Sequence, residues 1–191
     1  MEIPDTLDNF LKPLRLTLPI DKKQLPPNLP RQLRSIVSHF QNDRGNTIMF
    51  TGGSVDENVL AAGLLASQLG KELYRINLSV TASRHLGETE KNLLQVFEFV
   101  DQHGFVLLID EVDALFGKDA DAEDERYANL EIAYLLKRIA AYSGMVVITS
   151  KAPDELDAGL LRAIPWQIDL SHHASRPLSL WQRFIRIFSK H

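Results

Sequence analysis

Two adjacent carboxylates, Asp110 and Glu111, follow five consecutive apolar residues that end at Ile109. A short apolar run rich in β-branched and aromatic residues, preceded here by Gly104, is typical of a parallel strand buried on both faces. Open α/β sheets bind their ligands at the carboxyl ends of such strands. Carboxylates there have the chemistry of a hard-cation ligand and of a base. The structural alternative is that the acidic pair simply closes a core strand.

The elements that must position this pair alternate along the chain between strands and helices. Apolar periodicity predicts strands over 47–51, 73–78, 105–109, 145–149 and 166–170, and helices over 31–41, 59–69, 88–102 and 124–141. Strands separated by helices of this length favour a mostly parallel sheet with right-handed crossovers. The second and fifth strands alternate apolar with polar residues, which predicts that they lie at the edges of the sheet.

The bulk composition excludes several classes of protein. At 191 residues, with 45% hydrophobic and 24% charged residues, the chain suits one ordinary globular domain rather than a disordered segment. A net charge of -4 provides no general field for nucleic acid, and no apolar run is long enough to span a membrane. Because the chain has no cysteine and its acidic amino terminus lacks a secretion signal, we expect a cytoplasmic protein.

The two ends of the chain differ from its middle. Residues 1–30 contain six of the nine prolines, which predicts a proline-rich strap rather than regular structure, and residues 31–175 form the predicted core domain. Residues 176–191 are predicted to form an amphipathic helix that docks on the core; a helix that binds a partner or a membrane surface is the alternative. Its apolar stripe consists of Trp181, Phe184, Ile185 and Phe188.

These features together resemble the core of the AAA+ ATPases. The local matches are Leu86–Leu93, the Walker B run Leu107–Lys118, and Arg126–Asn129. The resemblance covers residues 30–175 and implies a three-layer α/β/α fold whose five-stranded, mostly parallel sheet has the order 5-1-4-3-2. The helical lid subdomain of the family is expected to be absent, since the chain ends at His191. Within the family, the chain looks most similar to the ATPases of phage-tail-like contractile injection systems.

The resemblance implies a role for each matched position. Asp110 would hold Mg²⁺ through water, and Glu111 would polarise the water that attacks the γ-phosphate. Arg162 lies where the family places an arginine finger that acts on a neighbouring subunit. The implied cofactors are therefore ATP and Mg²⁺. The implied partners are further copies of the chain or active AAA+ relatives.

The phosphate-binding loop departs from the family pattern G-x-x-x-x-G-K-[ST], in which backbone amides and a lysine bind phosphate. Only the opening Gly52 is retained, while Glu57 replaces the second glycine, Asn58 the lysine and Val59 the hydroxyl residue. This pattern predicts a degenerate Walker A motif with little or no affinity for ATP. The positions that would contact nucleotide are Gly52, Gly53, Ser54, Asn58, Val59 and, beyond the fourth strand, Lys151.

Lys151 occupies the position where AAA+ proteins usually have a sensor asparagine. We expect it to be a solvated loop residue, and the alternative is that it replaces the missing loop lysine, because the first and fourth strands should end side by side. Thr149 and Ser150 are predicted to serve a turn, with hydrogen bonding to phosphate or water as the alternative. The pore-loop position, Arg84–Gly87, is predicted to be an exposed loop, with contact to a substrate chain as its alternative.

The sequence therefore supports three functional hypotheses. The favoured one is a degenerate AAA+ domain without appreciable ATP turnover that has a structural or regulatory role in a protein assembly. The first alternative is an active, oligomeric AAA+ ATPase that remodels proteins and uses Lys151 in place of the loop lysine. The second alternative is a domain that binds nucleotide without hydrolysing it.

Overall fold

The computed structural model describes residues 3–5, 7–14, 25–40, 47–76, 78, 88–110, 112, 133–151, 156, 161 and 164–171. The strands are β1 (Leu11–Pro13), β2 (Thr47–Thr51), β3 (Leu73–Ile76), β4 (Val106–Ile109), β5 (Val146–Ser150) and β6 (Trp166–Asp169). The helices are α1 (Leu29–Phe40), α2 (Val55–Leu69), α3 (Glu88–Asp101) and α4, which is described over residues 133–141.

The strands form one sheet in the order β1-β3-β4-β5-β2-β6. β2 to β6 are mutually parallel and, read from β6 to β3, they have the predicted order 5-1-4-3-2. β1 pairs antiparallel with β3. The prediction that β3 is an edge strand is therefore wrong within the described residues, because three residues of the proline-rich segment cover it; β6 lies at the opposite edge.

Helices cover both faces of the sheet. Alternate residues of β2 illustrate the division, since Ile48 and Phe50 pack in one apolar cluster and Met49 packs in the other. The first cluster joins the sheet to α1 and α2, and the second joins it to α3 and α4. This three-layer arrangement explains why the central strands are apolar on both sides. It also leaves the carboxyl ends of the parallel strands as the edge where polar side chains gather.

Most element boundaries agree with the sequence prediction to within one or two residues. Gly70 ends α2 as predicted: it adopts the left-handed conformation with a φ of 64°, and its amide donates to Ser67 and Ala66 carbonyl oxygens. The main disagreement is the start of α2, which begins at Val55 rather than at Val59. The predicted amphipathic helix at the carboxyl terminus lies outside the described residues.

Tyr142 provides a prediction about alkaline stability. Its buried hydroxyl donates to the carbonyl oxygen of Phe105 at 2.6 Å, and burial, aided by the charge of Asp101, raises its pKa above the ordinary value. The unfolded chain loses this proton at a pH near 10 whereas the folded chain keeps it, so the free energy of unfolding should fall as pH rises above about 10.

Urea unfolding between pH 8 and pH 11 measures this effect. Tyr142→Phe should show a flatter decline over the alkaline part of the range, because its side chain has no proton to lose. Equal slopes for the two proteins would contradict the assignment.

Candidate functional site

A capping box closes the turn that follows β2. Ser54 is the N-cap of α2; its hydroxyl accepts from the amide of Glu57 at 3.3 Å, and the Glu57 carboxylate accepts from the amide of Ser54 at 2.7 Å. Two amide donors that a helix start leaves without partners are thus satisfied within the chain. The sequence signal was Ser54-x-x-Glu57, a capping-box pattern that the comparison with the Walker A motif obscured.

This geometry changes what the phosphate-loop positions can do. A phosphate-binding loop presents several free amides to an anion at a helix N-terminus. Here the residues from Val55 onward are already helical, and the Ser54 amide is bonded to a carboxylate. Asp56 adds a second carboxylate to the first turn of α2, where it interacts favourably with the helix dipole. The negative charges at the N-terminus of α2 are therefore the carboxylates of Asp56 and Glu57.

Asn58, at the position of the loop lysine, is turned toward the protein. It is buried, its side-chain oxygen has no hydrogen-bond partner among the residues that the structure describes, and a Cβ atom placed on Gly53 would lie 2.8 Å from that oxygen. The backbone amide of Asn58 donates to the carbonyl oxygen of Ser54 at 2.9 Å as the first hydrogen bond of α2. Val59 is half-buried and provides neither a charge nor a hydroxyl. Neither residue supplies the cation or the metal-binding hydroxyl of the family pattern.

Gly52 is required for a reason unrelated to phosphate. Its φ is 73°, and a Cβ atom there would lie 2.5 Å from a carboxylate oxygen of Asp169 and 3.1 Å from the amide nitrogen of Ser171. That Asp169 oxygen accepts from the amide and the hydroxyl of Ser171, at 2.9 and 2.6 Å. The first loop glycine is thus explained by packing against the end of β6, which also brings another carboxylate to the loop.

Gly52→Ala should destabilise the protein more than Gly70→Ala. Both glycines have positive φ, so alanine strains the backbone at each by about 1 to 2 kcal/mol. At Gly70 a Cβ atom meets no atom of the described residues within 4 Å, whereas at Gly52 it meets Asp169 and Ser171. We expect Gly52→Ala to cost about 1 to 2 kcal/mol more in urea unfolding. Equal losses would show that the contact with β6 does not constrain the loop.

Asp110, one residue beyond β4, is held by two neighbouring strands. Its side chain is 2% exposed; the Arg75 guanidinium donates to one carboxylate oxygen at 2.5 Å, and the Thr149 hydroxyl donates to the other. Arg75 lies on β3 opposite Leu108, and Thr149 lies on β5, so register brings both to the end of β4. The predicted turn role of Thr149 is wrong, because Thr149 is a buried residue of a central strand.

The described residues at this point do not fit a divalent cation. A hard cation needs several oxygen ligands, yet both oxygens of Asp110 are bonded, one of them to a guanidinium. No group of three or more histidine, cysteine or acidic side chains suited to a metal occurs in the described part of the chain. Glu111 and Arg162, the predicted catalytic residues, lie outside the described residues, as does the predicted pore loop.

Lys151 follows β5 at the same edge of the sheet. Ser150 pairs with Thr51, which immediately precedes Gly52, so the predicted proximity of the first and fourth strand ends is confirmed. Lys151 is exposed, whereas Ser150 is a buried strand residue rather than part of a turn. Gly52, Asp110 and Lys151 therefore follow the ends of β2, β4 and β5 at one edge of the sheet. Gly53 and Ser54 continue the turn after β2, and Asn58 and Val59 lie within α2. Sequence reasoning missed Arg75, whose only signal was a cationic residue at a polar position of an alternating strand.

The comparisons with known proteins agree with this fold. Residues 60–171 match the AAA family, the ATPase family associated with various cellular activities. The chain belongs to the AAA family. The matched segment begins after the phosphate-loop positions 52–59 and includes the Walker B strand. Members of this ATPase family in general use ATP and Mg²⁺. Within the described residues, no helix is long and apolar enough to cross a membrane.

Several relatives and solved structures resemble this AAA domain. It is 30% identical over 117 residues to the uncharacterized AAA family ATPase y4kL of Sinorhizobium fredii, covering 60% of this chain and 36% of that protein. It is 30% identical over 109 residues to Fidgetin-like protein 1 of Drosophila melanogaster, covering 54% of this chain and 21% of the relative. The chain thus spans about a third or less of these curated relatives.

Two solved structures share the fold at low sequence identity. The FIGL-1 AAA domain in complex with ADP has a TM-score of 0.66 and 18% identity, with 89% of this chain and 62% of that chain covered. The HORMA:CdnC:Trip13 complex of E. coli MS115-1 contains a chain with a TM-score of 0.66 and 16% identity, covering 97% of this chain and 76% of that one.

Proposed function

We propose that this chain is an AAA domain that does not use ATP at its phosphate-loop position and has a structural or regulatory role in a protein assembly. The observation that carries the proposal is the capping box, in which the Glu57 carboxylate is bonded to the Ser54 amide at the start of α2. A nucleotide phosphate would have to displace that carboxylate and unwind the first turn of the helix. Glu57 and Asn58 occupy the positions of the motif's second glycine and its lysine.

Charge makes the cost of that displacement large. A unit charge about 4 to 6 Å from a phosphate is worth about 3 to 4 kcal/mol at an effective dielectric near 20. Loss of the loop lysine and gain of Glu57 together remove about 6 kcal/mol, which weakens a micromolar site to about 10 mM or worse. Asp56 and Asp169 are exposed carboxylates close to the same turn, and their repulsion acts in the same direction. The degenerate Walker A motif is therefore the basis of an inactive or very weak ATPase.

The assembly we propose is one in which the domain packs beside further copies or beside active AAA relatives. AAA proteins typically work as oligomers, and Arg162 would lie at the position from which the family reaches a neighbouring active site. In this arrangement the chain contributes a surface and an arginine rather than turnover. The motif resemblance favours an assembly of the phage-tail-like contractile injection type.

An active ATPase is the competing function, and one observation favours it. Because Ser150 pairs with Thr51, the residues that follow them, Lys151 and Gly52, lie beside each other at the ends of β5 and β2. In that case Glu57 would turn away from Ser54, Lys151 would replace the loop lysine and Glu111 would polarise water. The ADP complex of the structurally similar FIGL-1 domain shows that the fold accommodates nucleotide in that protein.

A binding and turnover experiment separates the two functions. Labelled ATP with Mg²⁺ is titrated into the purified protein, and phosphate release is measured for the wild type and for Glu111→Gln. We expect no saturable binding up to millimolar ATP and no phosphate release that depends on Glu111. Micromolar binding, with turnover lost in Glu111→Gln, would overturn the proposal.

A pair of lysine variants identifies the cation if binding is found. Lys151→Ala would abolish binding in the competing function, whereas Lys71→Ala removes an equally exposed positive charge beyond the far end of α2. Binding that survives Lys151→Ala would exclude Lys151 as the substitute for the loop lysine.

A further inference from the structure

The Asp110 carboxylate at the end of β4 is paired with the Arg75 guanidinium. Asp110 is 2% exposed, so an ionised carboxylate there needs a positive partner or strong hydrogen bonds. Arg75 supplies the charge at 2.5 Å, and Thr149 supplies a hydroxyl to the remaining oxygen. The negative charge of Asp110, which a divalent cation would otherwise balance, is thus balanced by a side chain of the same protein.

The placement of Arg75 depends on the sheet rather than on a loop. β3 and β4 are parallel neighbours with Arg75 opposite Leu108, which puts its long side chain within reach of the residue that follows Ile109. The side chain of Arg75 is 40% exposed as a whole, yet its guanidinium contacts a carboxylate that is 2% exposed.

We propose that Arg75 is an internal replacement for the divalent cation at the Walker B aspartate. The Arg75–Asp110 pair has no net charge, and each Asp110 oxygen has a partner, so the wild-type protein should not bind a divalent cation at this point. Removal of the Arg75 charge should leave the Asp110 carboxylate and the Thr149 hydroxyl as a weak cation site. This inference concerns the end of β4 and holds whether or not the loop after β2 binds nucleotide.

Paramagnetic broadening by Mn²⁺ tests the proposal, because it detects weak sites. Amide spectra of the labelled protein are recorded with increasing Mn²⁺ and without nucleotide. In the wild type we expect the Asp110 and Thr149 amide signals to survive. In Arg75→Gln, which removes the charge and keeps an amide donor for the carboxylate, the same signals should be lost, and Arg75→Gln/Asp110→Asn should restore them.

Two further proteins make each outcome decisive. Arg34→Gln removes one positive charge from an exposed position of α1 and should leave the Asp110 and Thr149 signals intact, which controls for net charge. The single variant Asp110→Asn tests whether the wild-type carboxylate binds Mn²⁺. If Mn²⁺ removed the Thr149 signal of the wild type but not that of Asp110→Asn, the proposal would be overturned. Survival of both signals in Arg75→Gln would also overturn the proposal, provided that the amide spectrum shows this variant to be folded. The measurement on the wild type does not depend on the folding of any variant.

Discussion

Replacing Glu57 with Gly, Asn58 with Lys and Val59 with Thr in one variant should create saturable ATP binding in a protein that otherwise has none. Glycine removes the carboxylate that bonds the Ser54 amide, and lysine returns the missing cation. Reversal of both charge effects restores about 6 kcal/mol, equivalent to a gain of about four orders of magnitude in affinity. Calorimetric or fluorescence titration without a divalent cation measures the contribution of the loop alone.

Glu57→Gln is the matched control for that variant. Glutamine at the third helical position can complete a capping box as glutamate does, so the helix start is kept while the negative charge is removed. We expect Glu57→Gln to gain much less affinity than the triple variant, because the Ser54 amide remains bonded. If Glu57→Gln alone gave the full gain, charge rather than the closed turn would be the obstacle. If a folded triple variant gained nothing, the explanation from residues 57–59 would be wrong.

Arg75→Met should be among the most destabilising single substitutions in the described part of the chain. It leaves the buried carboxylate of Asp110 without its cation, and breaking a buried ion pair costs about 3 to 5 kcal/mol. Because the Arg75 side chain is 40% exposed, solvent reduces this cost, and we expect about 2 to 4 kcal/mol. Urea unfolding at neutral pH measures the change in the free energy of unfolding.

A double-mutant cycle with Asp110→Asn attributes that cost to the pair. Asparagine has no charge to leave unpaired, so Arg75→Met should cost much less in the Asp110→Asn background than in the wild type. Arg34→Met, on the exposed side of α1, should have little effect and controls for the loss of one positive charge. Additive effects of Arg75→Met and Asp110→Asn would show that the two residues do not stabilise each other.

β2, β4 and β5 were predictable from the sequence because their apolar runs reflect burial on both faces of the sheet, and β3 and β6 were predictable from their alternation of apolar and polar residues. β1 was not predictable in this way. A strand of three residues, Leu11–Pro13, has no detectable period, and it forms because the edge of β3 offers backbone partners. The alternation in β3 therefore did not reveal that another segment pairs with it.

The location of the candidate site was predictable from the sequence, whereas the hydrogen bonds and ion pairs of its residues were less so. The Walker B strand and the loop after β2 meet at one edge, as the parallel topology requires. The start of α2 was placed four residues too late, because the alignment with a phosphate loop assumed that residues 54–58 remain a loop. The Arg75–Asp110 pair depends on the register between β3 and β4, which no local pattern encodes.

The most direct measurement is an amide titration of the wild-type protein with ATP, following the signals of Gly53 and Ser54. We expect the chemical shifts of both signals to remain unchanged up to millimolar ATP, because the Ser54 amide is bonded to the Glu57 carboxylate. Saturable shifts of both signals at micromolar ATP, absent from amides at the far end of α2, would show that phosphate displaces the Glu57 carboxylate and would contradict the account.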